Sequence, residues 1–442
     1  MARFAPFVVV LTALATADLA LAQAGGGSGG FGGGGGGGGG FGGGGGGSFG
    51  GGGGSGSGTA TAPGWVVVLF FGFFGLLVLW LLVQSARYNR KVKQRTARVR
   101  TASAEAAEDD HYFAAEQVER DAERLFTEAQ TAWDAVDRAR LGQLVGGDLL
   151  VEWNRRLDDF ERKGWHNRVE VLDPPFIQYV GITNRDDDTE DRAVVRVKAT
   201  LRSYVQDEHG HKILRTGAKT DQMQLLEYWT LARTPEGRWM VVSIEQKAEG
   251  DHHLDSEIVA SPWSDSRIAD ESLTEVAVED RLPDGFTTAD LAELDFDEDA
   301  RARALDLSLA DARFGPDVLE AAARQAVAAW AEAVDGPDDA LAERASPEAL
   351  HVLLYGSDTH RTTRLVVRGP RVQRISIESV NVEAQPATMT VAVDLGGRRY
   401  VENRDTTTVV SGDKDRPTTF TERWTLALDG PDEAPWRIVG VA

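Results

Sequence analysis

The sequence predicts an α+β protein: helices on a curved antiparallel sheet, in two copies, behind a membrane-anchored N-terminal region. Three observations predict it. Residues 65–83 carry no charge and are followed by basic residues only. Between residues 104 and 247 a helical period gives way to an alternation of period two. The signatures of that stretch then recur in the same order, at an offset of about 197 residues (Trp133 to Trp330).

Composition sets the limits. The chain has 442 residues, a net charge of −22 and no cysteine, which excludes disulfides, thiolate metal sites and a cysteine nucleophile. The two signs of charge are segregated. Arg87, Arg90, Lys91, Lys93, Arg95, Arg98 and Arg100 lie between Trp65 and Ser103 with no acid among them, and the rest is acidic. Such a surface repels phosphate, so no nucleic-acid partner is expected.

From the N-terminus, residues 1–24 read as an export signal. Arg3 supplies the charged start, Phe4 to Ala17 the uncharged core, and Ala20-Leu21-Ala22 or Ala22-Gln23-Ala24 the small-x-small cleavage site. Residues 25–64 form a glycine tract broken by Phe31, Phe41 and Phe49, with little side chain to bury. Trp65–Val83 is long enough to cross about 28 Å of hydrocarbon as a helix, with Trp65 and Trp80 near its ends. The seven cations of residues 84–103 put the C-terminal side in the cytoplasm and the glycine tract outside. The expectation is a single-pass protein of the cell membrane. Those cations are its candidate contacts with anionic lipid headgroups, each worth about 1 kcal/mol near the surface.

The first globular domain is expected over residues 104–247. An apolar face built from Ala114, Val118, Ala122, Leu125, Phe126, Ala129, Trp133 and Val136 predicts a helix over about Asp110–Val136, and a second helix follows over about Asp148–Lys163. Val169–Val180, Ala193–Leu201, Gln222–Ala232 and Arg238–Gln246 read as strands, with Pro174-Pro175 interrupting the first.

Three stretches make a family resemblance specific. Phe126-Thr127-Glu128-Ala129-Gln130-Thr131-Ala132-Trp133-Asp134 resembles the first helix of the Tim44-like domain. Glu161-Arg162-Lys163-Gly164-Trp165-His166-Asn167-Arg168-Val169-Glu170 is similar to its helix-to-strand junction. Glu227-Tyr228-Trp229-Thr230-Leu231, followed by Gly237-Arg238-Trp239, is similar to its closing hairpin. The resemblance implies an NTF2-like cone and a binding role beside a membrane. The mitochondrial member of that family tethers a chaperone motor to a protein-import channel and contacts cardiolipin-rich membrane. This chain departs from it by having a membrane span and by lacking a long charged chaperone-recruiting region.

The last third repeats the pattern. Ala132-Trp133 recurs as Ala329-Trp330, Val136-Asp137 as Val334-Asp335, Glu227 to Ala232 as Glu422 to Ala427, and Trp239 as Trp436; Arg374–Val382 and Ala387–Val393 read as strands. A second, degenerate domain is expected over residues 315–442, after an acidic linker, residues 248–314, with short helices near Leu291, Leu294 and Ala302–Leu309.

An NTF2-like cone implies an apolar pocket. The aromatic candidates to line it are Trp153, Trp165, Tyr179, Tyr204, Tyr228 and Trp229, for acyl chains or an apolar peptide. Core packing is the alternative for each. Glu227 and Tyr228 face opposite sides of a strand, and Glu227 and Glu422 recur, which favours a structural role. His252 and His253 beside Asp251 and Asp255 match no standard metal spacing, and adjacent histidines rarely converge. Asp186-Asp187-Asp188 with Glu190 and Asp191 lacks the glycine of a calcium loop and reads as a solvated hairpin tip. There is no P-loop, Rossmann fingerprint or nucleophile elbow, so neither a cofactor, a metal nor a catalytic set is expected. The functional expectation is a non-catalytic adaptor that binds lipid, or a segment of a membrane or cytoplasmic protein, in translocation or membrane-protein assembly. The alternatives are a tethered enzyme acting on an apolar small molecule and a structural envelope protein.

Overall fold

The computed structural model describes residues 24–26, 64–264, 293–431 and 435–441. The export signal, most of the glycine tract and the middle of the acidic linker, Leu291 included, lie outside these residues.

Helix α1, Gly64–Asp109, contains both the expected span and the basic segment. Among the described residues no helix is long and apolar enough to cross a membrane. The described side chains of the span are nonetheless apolar and open: Phe73 is 70% exposed, Leu76 68% and Trp80 56%. The chain divides into a unit holding residues 33–95 and a larger unit holding residues 1–32 and 96–442.

The larger unit has two lobes, each with its own hydrophobic core. The first begins with a one-turn 3₁₀ helix, His111–Phe113, and then α2 (Ala115–Asp134), α3 (Arg138–Leu144) and α4 (Gly147–Arg162). The apolar stripe of α2 buries Val118, Ala122, Leu125, Phe126, Ala129 and Trp133 as its spacing predicts, but Ala114 only caps the helix, and Val136, two residues past its end at φ +54°, is exposed. Strands β1 (Trp165–Val171), β2 (Phe176–Thr183), β3 (Arg192–Asp207), β4 (Lys212–Ile213), β5 (Gln222–Arg233) and β6 (Trp239–Gln246) form an antiparallel sheet. Its path is β1-β3-β5-β6. β2 pairs with the first half of β3 and β1 with the second half, so the break at Pro174-Pro175 yields two strands where one interrupted strand was expected.

The second lobe follows the same order. The linker ends in β7 (Glu293–Phe296) and α5 (Glu298–Ser308); Leu294 therefore lies in a strand, parallel to β8, and not in a short helix. After a 3₁₀ turn, Ala312–Phe314, come α6 (Pro316–Asp335), α7 (Asp339–Arg344) and α8 (Pro347–Tyr355). Strands β8 (Thr363–Asn381), β9 (Thr388–Asn403), β10 (Val409–Gly412), β11 (Thr418–Leu428) and β12 (Trp436–Val441) complete it, on the path β12-β11-β9-β8-β7. Here β8 does the work of both β1 and β2. It bends at Gly369-Pro370, where its register with β9 shifts and Gly369 takes φ +58°.

Matching bonds tie the lobes to one plan. Trp239 Nε1 donates to the Tyr112 carbonyl at 3.3 Å, and Trp436 Nε1 to the Arg313 carbonyl at 3.0 Å. Phe113 meets Trp239 edge-on, as Phe314 meets Trp436. Gly146 N donates to Val241 O and Ser346 N to Ile438 O, both at 2.8 Å. The recurrence expected from Trp133 and Trp330 needs one correction. Asp134 accepts from Val169 N, and the equivalent acid, Asp335, accepts from Gly369 N. Both acids end their helices, so Trp330 sits about one turn nearer the helix start than Trp133.

Candidate functional site: the cleft between the lobes

The expected apolar pocket is a filled core. Trp153, Tyr179, Tyr228 and Trp229 are all buried. Trp133 meets Trp153 edge-on, and Phe126 packs on Trp229. Trp165 and Tyr204 are half-buried at the sheet margin, with Lys163 and Lys212 over their rings. Of the six candidates only Trp153 lines the main cavity.

That cavity, of about 580 Å³, lies between the lobes, and its walls are charged. The first lobe contributes Glu152, Arg156, Glu227, Glu245, Glu249 and His253, and the second Arg364, Arg368, Tyr400, Glu402, Arg404 and Lys414. These groups bond across the seam. Arg404 donates to Glu152 Oε1 at 2.8 Å from Nε and 2.6 Å from Nη2. Tyr400 Oη donates to Glu249 at 2.5 Å. Lys414 reaches Glu249 across the seam at 3.9 Å and pairs with Glu402 of its own lobe at 3.2 Å. Burial pushes the Glu402 carboxyl up, but Lys414, Arg156 and Arg368 outweigh it and hold it below the usual range. Burial likewise opposes the Arg368 charge, and Tyr400, Asp335, Glu245 and Glu249 more than restore it.

Residues Ala24–Gly26 occupy one end of this cleft. Ala24 N donates to Oε1 of the buried Gln130 at 2.8 Å, and Arg156 Nη1 donates to the Gly25 carbonyl. Gly25 has φ +84° and lies flat on the Trp153 indole; a Cβ there would fall 2.2 Å from Trp153 Nε1. No larger residue fits. Gln130 Nε2 has no hydrogen-bond partner.

Glu227 has the structural role its recurrence suggested. It is fully buried and accepts from Trp229 Nε1 at 2.9 Å. Glu422 does not repeat this. It turns to Arg399 at 3.5 Å, and Trp424 Nε1 has no partner. The acidic hairpin also needs correcting: Asp186 to Asp188 are exposed, but Asp191 is buried. Asp191 accepts from Arg185 N at 2.9 Å and Arg233 Nη1 at 3.3 Å.

The adjacent histidines do converge, against expectation, and on Glu245 instead of the neighbouring aspartates. The 3₁₀ turn Gly250–Leu254 brings both rings to one carboxylate, with His252 Nε2 2.8 Å from Oε2 and His253 Nε2 2.9 Å from Oε1. Gly250 permits the turn, because a Cβ there would lie 2.3 Å from the Tyr228 ring.

Among the headgroup candidates, Arg87, Arg90, Lys91, Lys93 and Arg98 are exposed along α1. Arg95 is buried, which removes it from the set. Arg100 is held by both oxygens of Glu119, at 3.0 and 2.9 Å. Sequence spacing could not reveal either engagement. Gln130 and Arg156 were missed for a similar reason: a lone polar residue on an amphipathic helix carries no sign of what will dock on it.

The fold defines a class, an α+β domain with helices over a curled antiparallel sheet. More particularly, the family model for the Tim44-like domain matches residues 99–246, so that stretch is a Tim44-like domain. No curated protein matches the chain. Among solved structures, the chain is similar to the intermembrane space region of the chloroplast protein ARC6, at 15% identity and a TM-score of 0.24, over 29% of this chain and 95% of that one. It is also similar to an Ntf2 like protein involved in plasmid conjugation, at 10% identity and a TM-score of 0.16, over 69% of this chain and 85% of that one. Neither overlap is close enough to say which parts of the fold correspond.

Proposed function

We propose that the chain is a membrane-tethered, non-catalytic binding protein whose lobes receive an extended, small-residue peptide segment of a partner protein in the cleft between them. Its place is the inner face of the cell membrane, in translocation or membrane-protein assembly. The observation that carries this reading is the capture of Ala24–Gly26. Main-chain groups are bonded by Gln130 and Arg156, and the Trp153 face admits only glycine. Main-chain bonds supply affinity for many sequences, and the indole face selects small residues.

Two features support the tether. Phe73, Leu76, Leu79, Trp80 and Leu82 of α1 are exposed, which water would penalise by about 25 cal/mol per Å². The basic segment follows on the same helix. A single crossing at Trp65–Val83 separates residues 24–26 from the lobes. The chain's own segment can then fill the cleft only before insertion, and the tethered protein offers the cleft to a partner. A tethered enzyme acting on an apolar molecule has less support, because the aromatic candidates are core and the cavity wall is charged.

Photo-reactive residues at the cavity positions Leu149 and Val242, in intact cells, test the reading. The expected result is a reproducible crosslink to a membrane or cytoplasmic protein, weakened by Arg156→Ala. Crosslinks to lipid alone, or to this chain's own residues 24–26 alone, would overturn it. A C-terminal reporter reachable only from outside the cell would remove the proposed topology.

A further inference from the structure

The geometry points to a binding site for one divalent transition-metal ion of the zinc type, made by Glu245, His252 and His253. It lies beyond the matched Tim44-like stretch except for Glu245, which is near that stretch's end. It does not depend on what the cleft binds.

The three ligand groups come from two elements locked against each other. Glu245 lies near the end of β6 and is buried. The histidines sit on the 3₁₀ turn that follows, mostly buried themselves, with ring centroids 4.0 Å apart. One ligand atom from each residue lies within 4.8 Å of the other two, and no other such group occurs among the described residues. In a tetrahedral site with bonds of about 2.0–2.1 Å the ligand atoms stand about 3.3 Å apart. The histidine nitrogens now stand 2.8 and 2.9 Å from different oxygens of Glu245, so each must draw back by about half an ångström, and one oxygen must serve both, to admit an ion.

The chemistry of the set selects the ion. Two imidazole nitrogens and one carboxylate disfavour calcium and magnesium, which take oxygen ligands. They suit zinc and its neighbours. With no cysteine in the chain, histidine is the only nitrogen or sulfur donor that favours such an ion strongly, and this is the one place among the described residues where two join a carboxylate. Glu245 and His253 also line the cavity, which leaves the fourth position open to water or to an incoming group. His252 faces the second lobe. Gly369 of β8 lies against it so closely that a Cβ would fall 2.7 Å from Cγ, and Asp335 and Arg368 act on it from that side. An ion bound here would brace the 250–254 turn at the seam between the lobes.

The test uses the full chain purified in detergent. It is dialysed against buffer with micromolar zinc, then against buffer without it, and its metal content is measured. About one zinc per chain is expected. His252→Gln and His253→Gln should each weaken retention tenfold or more, while His209→Gln and His211→Gln on the exposed turn should leave it unchanged. Cobalt in place of zinc should give the visible absorption of a low-coordinate, nitrogen-ligated site in the wild type and lose it in His253→Gln, with far-ultraviolet dichroism unchanged. A folded wild-type chain that retains no zinc, or retention that survives both substitutions at 252 and 253, would overturn the site.

Discussion

The two lobes share a backbone plan but not a polar plan. In the first, two buried indoles have acceptors: Trp133 Nε1 donates to Asn167 Oδ1 at 2.9 Å and Trp229 Nε1 to Glu227 at 2.9 Å. In the second, the Trp330 and Trp424 rings lie 5.8 Å apart, tilted 50° to each other, and neither Nε1 has a partner. At these two positions the second lobe keeps the apolar volume without the indole bond. A buried N–H without an acceptor costs about 1–3 kcal/mol. The contrast is confined to the indoles, because buried polar atoms without partners, such as Gln130 Nε2 and Tyr179 Oη, occur in the first lobe too.

The seam is where the comparison breaks most readily. Arg404 and Glu152 are largely buried, so Arg404→Ala leaves an uncompensated carboxylate and should cost about 3 kcal/mol. Urea unfolding of the full chain should show the second lobe melting first in this variant. A single unshifted transition would mean that the second lobe stands alone. The indoles come next. Trp133→Phe should destabilise by about 1–3 kcal/mol because it strands Asn167. Trp330→Phe removes an N–H that bonds to nothing and should cost clearly less. Equal losses for the two, read as unfolding midpoints, would erase the proposed difference between the lobes.

How much of this was legible in the sequence follows from the range of each interaction. The helices and the period-two strands depend on neighbours three, four or two residues away, and they were readable. The helix register of the second lobe was not. A helix displaced by one turn keeps the same apolar face, so Ala329-Trp330 matched Ala132-Trp133 by letter while Asp335 matched Asp134 by contact. The cleft was illegible because it is made by two lobes meeting: Glu152 and Arg404 are 252 residues apart. Of the aromatic residues expected to line a pocket, Tyr179, Tyr228 and Trp229 are buried away from the cavity, Trp153 lines it and Trp165 and Tyr204 sit half-buried at the sheet margin, since nothing in their spacing distinguishes these uses. The histidine pair was misjudged because strand and α-helix geometry both separate adjacent side chains, whereas a 3₁₀ turn beside a strand end let both reach one carboxylate.

The smallest expected effect concerns pH. The first lobe buries an acid at its hairpin tip, Asp191, whereas the corresponding turn of the second lobe leaves Glu383 exposed. Burial is the largest influence on Asp191 and raises its carboxyl to about 6, against the pull of Arg185 N and Arg233. A folded-state value above the unfolded one means that folding favours the protonated acid. The contribution is fully present below the ordinary carboxylate value of about 3.9 and is lost as pH rises through about 6. Asp191→Asn keeps the shape and cannot ionise. Relative to wild type it should lose less stability, or gain some, as pH goes from 4 to 7, while Glu383→Gln should track the wild type throughout. Chemical-shift titration of the Asp191 carboxyl gives the midpoint directly. A midpoint near 4, with parallel pH curves for the two variants, would show that Arg233 dominates the site and that the first lobe carries no such strain.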